Sequence, residues 1–192
     1  LEQALALALT APRSERDFRP VLDAIRYADG RASFATRNHY MSRDWAVANG
    51  WLVSDVTEEL APDLTRAVER RIDRAAFLRG HGVEPRGPAD EPRVVHARML
   101  PREAAGQIAP LLAAGDLLFW VGKGDGILVV HTGLAVHAPD GTVLLRHGSS
   151  GAGRVVDEPF VDYAARATFA AGLLVYRLRE DAWPPGLEGR KR

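Results

Sequence analysis

The chain has 192 residues, of which 46% are apolar and 26% charged, and its 25 basic and 25 acidic residues cancel. This composition is typical of a globular domain and excludes an intrinsically disordered chain. Zero net charge excludes a global field that would draw the chain to nucleic acid or to an anionic membrane. No apolar run approaches the roughly 20 residues that a membrane-spanning helix needs. We therefore expect neither a nucleic-acid partner nor a transmembrane segment, and the sequence does not indicate an oligomeric state.

The first part of the chain predicts helices. Residues 1–9 are rich in Ala and Leu and lack the basic start of a signal peptide. Because they begin without a capping residue, we expect a fragment that enters part-way through a helix, with any targeting segment upstream. Residues 16–27 carry apolar side chains at helical spacing, and residues 34–52 predict an aromatic-rich loop leading into a short helix. The charged residues 63–82 are interpreted as a solvated surface.

The second part of the chain predicts a sheet. Short β-rich runs separated by Gly-containing turns predict strands over residues 94–99, 116–121, 127–137, 142–147 and 172–178. Two helices are predicted among them, over residues 101–112 and 160–165. Helices followed by antiparallel strands indicate an α+β fold, with N-terminal helices packed on a small antiparallel sheet. We expect one domain over residues 1–180 and a disordered basic tail over residues 181–192.

Two histidines stand out in the β-rich part. His131 interrupts an apolar strand, where it is either a core residue bonded to a backbone carbonyl or part of a cleft. A hairpin turning at residues 139–141 would put residue 131 opposite about residue 148, so His147 lies near it on the next strand. Two imidazoles in reach of each other suit a base and the residue that orients it. A pair of metal ligands is the alternative, but no carboxylate lies at convincing ligand spacing nearby.

Two further groups are candidates for substrate contact. Arg37, His39 and Tyr40 supply a cation and two hydrogen-bonding rings, and Arg37 has the geometry to bind a carboxylate with two hydrogen bonds. The alternative is that the aromatic residues of this segment anchor the core, which is our interpretation of Trp45. Ser149 lacks the G-x-S-x-G spacing of a serine nucleophile, so we expect it to cap a turn or line the cleft.

Four short motifs in order resemble a known family. They are Gly115-Asp116-Leu117-Leu118-Phe119-Trp120, Val130-His131-Thr132-Gly133-Leu134, Leu145-Arg146-His147-Gly148-Ser149-Ser150, and the segment from Arg37 to Asn49. The first three are similar to the strands of NlpC-type, papain-like cell-wall hydrolases. The fourth resembles the signature of the N-acetylmuramoyl-L-alanine amidase-like branch. The resemblance runs from residue 1 to about residue 177.

The resemblance implies a Cys–His pair that cleaves an amide bond of peptidoglycan or a muropeptide through an acyl-enzyme. His131 would be the general base and His147 the orienting residue, with Arg37, His39, Tyr40 and Ser149 in contact with substrate. The chain has no cysteine, and the family's nucleophile precedes an Ala/Leu-rich helix, so it would lie a few residues before Leu1.

The resemblance requires no metal and no organic cofactor, and it places the protein in the bacterial envelope. Two alternatives remain open. One is a non-catalytic cell-wall binding module with the same fold, and the other is an amidase for a different amide substrate.

Overall fold

A computed structural model describes residues 1–10 and 15–187. These residues form two compact units. The first comprises residues 1–53, 71–95 and 179–192, and the second comprises residues 54–70 and 96–178. Residues 188–192, which hold the basic part of the expected tail, lie outside the described residues.

The first unit is mainly helical. Its helices are α1 (Glu2–Thr10), α2 (Glu15–Arg26), α3 (Ala46–Ala48), which continues a π-helical turn over Met41–Trp45, and α5 (Arg74–Gly80). Val21, Ile25 and Trp45 are fully buried, which confirms the core interpretation of Trp45. The Asp73 side chain caps the start of α5 by accepting a hydrogen bond from Ala76 N at 2.8 Å.

The second unit contains most of one sheet of eight strands. The strands are β1 (Val53–Asp55), β2 (Arg66–Ile72), β3 (Arg93–Pro101), β4 (Leu117–Gly122), β5 (Val129–His137), β6 (Val143–Ser149), β7 (Arg154–Pro159) and β8 (Ala170–Leu178). Their order is β2-β3-β8-β4-β5-β6-β7, with β1 also paired to β8. The pairs from β3 to β7 along this order are antiparallel. The fold is therefore α+β, as predicted, and its sheet is larger than expected.

Three short helices accompany the sheet: α4 (Thr57–Leu60), α6 (Ala105–Ile108) and α7 (Phe160–Arg166). Strand β4 lies between β8 and β5 in the sheet, and all of its residues are buried. One face of the sheet packs Leu118 and Trp120 against Phe160 of α7, and all three are fully buried. This face carries the candidate site.

The interpretation of residues 63–82 as a solvated surface is wrong in part. The segment contains β2 and α5, and the Arg74 side chain is buried. Its guanidinium donates to Asp90 Oδ1 at 2.7 Å and to the Asp44 carboxylate. The sequence did not predict these ion pairs, because a run of charged residues does not indicate which of them has a buried partner distant in the chain.

No helix of the described residues is long and apolar enough to cross a bilayer.

Candidate functional site

Two antiparallel strands position the histidine pair. In the β5–β6 ladder Gly133 is paired with His147 and Leu134 with Arg146. His131 therefore lies on β5 two residues before Gly133, the residue directly opposite His147. The expected hairpin is present, and its register differs by one residue from the symmetric closure predicted about residues 139 and 140. Because side chains two residues apart share a face, His131, Gly133 and His147 all lie on the face of the sheet covered by α7.

Gly133 makes the close approach of the two strands possible. A Cβ atom built on Gly133 would lie 2.5 Å from Leu145 Cδ1, 2.8 Å from the Arg146 carbonyl oxygen and 3.2 Å from His147 Cβ. The carbonyl oxygen belongs to the backbone of β6 and cannot move aside like the end of a side chain. Glycine at this position therefore lets the His147 side chain pass beside β5 and reach His131.

The two imidazoles contact each other directly. His131 Nε2 and His147 Nδ1 are 2.9 Å apart, and the rings meet edge to face with centroids 4.9 Å apart. Tyr163 of α7 lies against both rings, with centroid distances of 6.0 Å to His131 and 4.9 Å to His147. The other ring nitrogen of His131, Nδ1, has no hydrogen-bond partner among the residues that the structure describes.

A carboxylate contacts the ring nitrogen of His147 that does not face His131. His147 Nε2 is 3.0 Å from Glu158 Oε1, and the second oxygen of Glu158 pairs with Arg166. Glu158 lies on β7, the strand next to β6, and Arg166 ends α7. The side chains form one line, which we call the relay: His131, His147, Glu158 and Arg166. From His147 outward the relay becomes more exposed, with 5% for the His147 side chain, 31% for Glu158 and 60% for Arg166.

The surroundings of His131 favour its neutral form. Burial, with the nearby His147 as a second cause, lowers the pKa of His131 below its usual range. A neutral imidazole with Nδ1 open and Nε2 bonded has the chemistry of a general base whose ring orientation is fixed.

Two other residues of the motifs have structural roles here. Asp116 is buried and pairs with Arg177 through two hydrogen bonds of 2.8 Å, while its Oδ2 also accepts from Ala113 N. Ser149, at the end of β6, accepts a hydrogen bond from Ala152 N at 3.2 Å through its hydroxyl. Asp116 thus fixes the turn into β4, and Ser149 caps a turn, as one of its two expected roles.

The candidate substrate-contact residues Arg37, His39 and Tyr40 belong to the first unit. Arg37 donates through Nη2 to Glu2 Oε2 at 3.1 Å, which leaves its Nε and Nη1 without a side-chain partner among the described residues. His39 donates from Nε2 to the Phe34 carbonyl at 2.8 Å, and burial lowers its pKa. Burial raises the pKa of the Tyr40 hydroxyl, which therefore remains a donor at neutral pH.

The rings of His39 and Tyr40 belong to an aromatic cluster that also includes Phe34, Phe77 and His81. Centroid distances within it run from 4.5 Å between Phe34 and His39 to 6.0 Å between Phe34 and Phe77. Phe34 and His81 are exposed. The sequence assigned no role to His81, which the α5 helix brings here as its last turn ends.

Within residues 1–10 and 15–187 no group of three or more His, Cys, Asp or Glu residues is arranged to hold a metal ion.

Glu158, Tyr163 and Arg166 were missed by the sequence interpretation. No motif marks them, and the sequence patterns predict no strand over residues 154–159. In the structure this segment alternates exposed and partly buried positions, with Glu158 at a partly buried one, as expected of a strand whose every second residue faces His147. The sequence shows no such alternation, because Val155 and Val156 are adjacent.

Comparison with solved structures shows that the same fold occurs in several bacterial proteins. A Legionella pneumophila protein of family DUF1460 is 18% identical over 92% of this chain and 73% of its own, with a TM-score of 0.79. An N-acetylmuramoyl-L-alanine amidase from Bacteroides uniformis is 26% identical over 93% of this chain and 81% of its own, with a TM-score of 0.73. A Bacteroides fragilis protein described as a candidate xylanase is 26% identical over 92% and 83%, with a TM-score of 0.69.

No curated protein matches the chain. Residues 1–171, most of its length, match the family described as AmiA-like, N-acetylmuramoyl-L-alanine amidase-like. The chain therefore belongs to the AmiA-like family of N-acetylmuramoyl-L-alanine amidase-like proteins.

Proposed function

We propose that the protein containing this chain is a cysteine amidase of papain-like, NlpC type that hydrolyses an amide bond of peptidoglycan or of a muropeptide in the bacterial envelope. One observation carries the proposal. His131 holds Nε2 against His147, while Nδ1 has no hydrogen-bond partner in residues 1–10 and 15–187, which is the arrangement that a base activating a nucleophile needs. Family membership and the amidase from Bacteroides uniformis support the choice of an amide bond.

The nucleophile in this proposal is a cysteine a few residues before Leu1. Its proton passes to His131 Nδ1, and the thiolate attacks the amide carbonyl carbon. The imidazolium then gives that proton to the leaving amine as the carbon–nitrogen bond breaks. Water next attacks the acyl-enzyme while His131 accepts one of its protons, and the thiolate leaves as the carboxylic acid is released.

The substrate-contact residues of the proposal are Arg37, His39, Tyr40 and Ser149. The Nε and Nη1 of Arg37, for which the described part of the chain supplies no side-chain partner, suit a muropeptide carboxylate. The Tyr40 hydroxyl supplies a donor, and the neutral His39, which donates from Nε2, keeps Nδ1 as an acceptor. Ser149 lies on β6 two residues after His147 and hence on the same face of the sheet.

Glycoside hydrolysis, suggested by the description of the Bacteroides fragilis relative, fits the site less well. Glycosidases generally flank the scissile bond with two carboxyl groups about 5 to 9.5 Å apart. Among the described residues, one carboxylate, Glu158, contacts the histidine pair, and it already binds His147 and Arg166.

Expression of the protein with its natural residues upstream of Leu1 tests the proposal. We expect a cysteine there, release of peptide from muropeptides, and loss of turnover in His131→Ala. The 192-residue chain alone should not cleave the substrate, because its histidines have no thiol to activate. A different residue at the upstream position, with retained binding to peptidoglycan, would instead favour the non-catalytic binding module.

The division of labour between the histidines has its own test. In the longer protein, His131→Ala should raise the pKa of the cysteine, as followed by its rate of alkylation by iodoacetamide against pH. His147→Ala should leave that curve almost unchanged and reduce turnover less. Equal displacement of the curve by both substitutions would contradict the assigned roles.

A further inference from the structure

The relay ends in groups whose hydrogen-bonding character is fixed. An arginine guanidinium has donors only, so Arg166 binds Glu158 through one carboxylate oxygen. An ionised carboxylate has acceptors only, so Glu158 Oε1, 3.0 Å away, accepts from His147 Nε2. In the neutral imidazole one nitrogen carries a proton and the other a lone pair. His147 Nδ1 is therefore the acceptor of this ring.

The same reasoning carries over to the second ring. His147 Nδ1 accepts, so the 2.9 Å contact with His131 must be donated by His131 Nε2. That leaves the lone pair of His131 on Nδ1, the atom that has no partner among the described residues. The direction of every hydrogen bond from Arg166 to His131 thus follows from the charge of the carboxylate.

We propose that Glu158 is a positioning residue that sets the tautomer of both histidines and so places the basic lone pair of His131 on Nδ1. Its importance for turnover rests on the amidase function proposed above, whereas the tautomers do not depend on it. Tyr163 packs against both rings and holds their planes while Glu158 sets the protons. Arg166 keeps the second carboxylate oxygen turned away from His147.

Glu158→Gln would reverse the relay. Arg166 would select the amide oxygen, because it offers only donors, and the amide NH2 would then face His147 Nε2. His147 would accept at Nε2 and donate from Nδ1, His131 would accept at Nε2, and its proton would move to Nδ1. The general base would lose the lone pair that the nucleophile requires, with almost no change in shape.

The neighbouring residue offers a matched control. Asp157 also lies on β7 and also pairs with an arginine, through two 2.7 Å bonds to Arg146. Its side chain points to the opposite face of the sheet from Glu158, because successive residues of a strand alternate. Asp157→Asn removes the same charge from the same strand without touching the relay.

The test uses the 192-residue chain with nitrogen-15-labelled histidine, because two-dimensional NMR distinguishes protonated from unprotonated ring nitrogens. At a pH where both rings are neutral, we expect protons on Nε2 of His131 and of His147 in the wild type and in Asp157→Asn. In Glu158→Gln both protons should appear on Nδ1. A wild-type His131 protonated at Nδ1 would overturn the proposal even if the variant did not fold, and so would unchanged tautomers in a folded Glu158→Gln.

Activity supplies a second, separable readout. In the longer protein Glu158→Gln should lower kcat by about 10²- to 10⁴-fold, the usual contribution of proton transfer by a side chain, with KM nearly unchanged. Asp157→Asn should stay close to wild type. Reversed tautomers in a protein that never shows amidase activity would refute the proposed function and leave the role of Glu158 intact. Full activity with reversed tautomers would refute its importance for turnover.

Discussion

Gly133→Ala offers a direct test of how the histidine pair is assembled. The added methyl group would meet the Arg146 carbonyl oxygen at 2.8 Å and Leu145 Cδ1 at 2.5 Å. Leu145 can change its rotamer, whereas the carbonyl can retreat only if β6 moves away from β5. Because the two strands exchange backbone hydrogen bonds around this position, the substitution strains the ladder that positions His147.

The magnitude follows from the behaviour of overfilled cores, where an extra methylene group typically costs about 1 to 3 kcal/mol. For a chain of this length, each kcal/mol corresponds to a fall of roughly 2 to 4 °C in Tm. We expect urea denaturation to show a lower midpoint with an unchanged slope, since the substitution alters stability and not the surface exposed on unfolding.

Gly148→Ala is the control, because it lies next to His147 on β6 and a Cβ there would meet no atom within 4 Å. This substitution should be neutral or should stabilise by about 0.4 to 1 kcal/mol through the unfolded chain. If Gly133→Ala were as stable as Gly148→Ala, the close approach of β5 and β6 would not depend on glycine, and the reasoning would be refuted.

Three further predictions concern stability. Arg74→Met should destabilise the protein by about 3 to 5 kcal/mol, as breaking a buried ion pair does, because it removes the buried guanidinium that pairs with both Asp90 and Asp44. Arg19→Met, which breaks an exposed pair, should change the stability by less than about 1 kcal/mol. Folding lowers the pKa of His131, so the unfolded chain binds a proton at higher pH than the folded one, and stability should fall as pH drops below about 6.5. His131→Gln should reduce the dependence of the free energy of unfolding on pH, as measured by urea titrations at several pH values. An unchanged dependence would contradict the shift. Burial opposes ionisation of Asp90, but hydrogen bonds from Arg86 and Arg74 outweigh it and lower its pKa. A second loss of stability should therefore begin below about pH 4, and it should be smaller in Asp90→Asn, whatever the stability of that variant at neutral pH; an equal loss would contradict the shift.

Local patterns predicted most of the secondary structure. The Ala/Leu-rich start, the apolar spacing of residues 16–27 and the Gly-containing turns around β4, β5 and β6 each produced the element expected of them. The histidine pair was predictable for the same reason, since a short hairpin brings residues about 16 apart onto neighbouring strands. The predicted pairing of β5 with β6 differed from the observed pairing by one residue.

The remainder depended on partners distant in the sequence. Strand β2 was not predicted because four of its seven residues are charged, which is compatible with an edge strand as well as with a solvated surface. Arg74 is buried because Asp44 and Asp90, 30 and 16 residues away, neutralise it. Glu158 was not predicted as a site residue because its contact with His147 depends on β7 pairing with β6. Local sequence periodicity does not indicate which strands pair.

The order of the relay along the chain has a consequence for folding kinetics. His131, His147, Glu158 and Arg166 lie on consecutive elements β5, β6, β7 and α7, each joined to the next by a short connection. By contrast, the β4–β8 pairing closes a much longer loop, with Leu117 opposite Tyr176. Contacts between near neighbours in sequence require less loop-closure entropy and form faster than distant ones. We therefore expect the histidine relay to assemble in an early β-meander, before β8 enters the sheet and completes the buried strand β4.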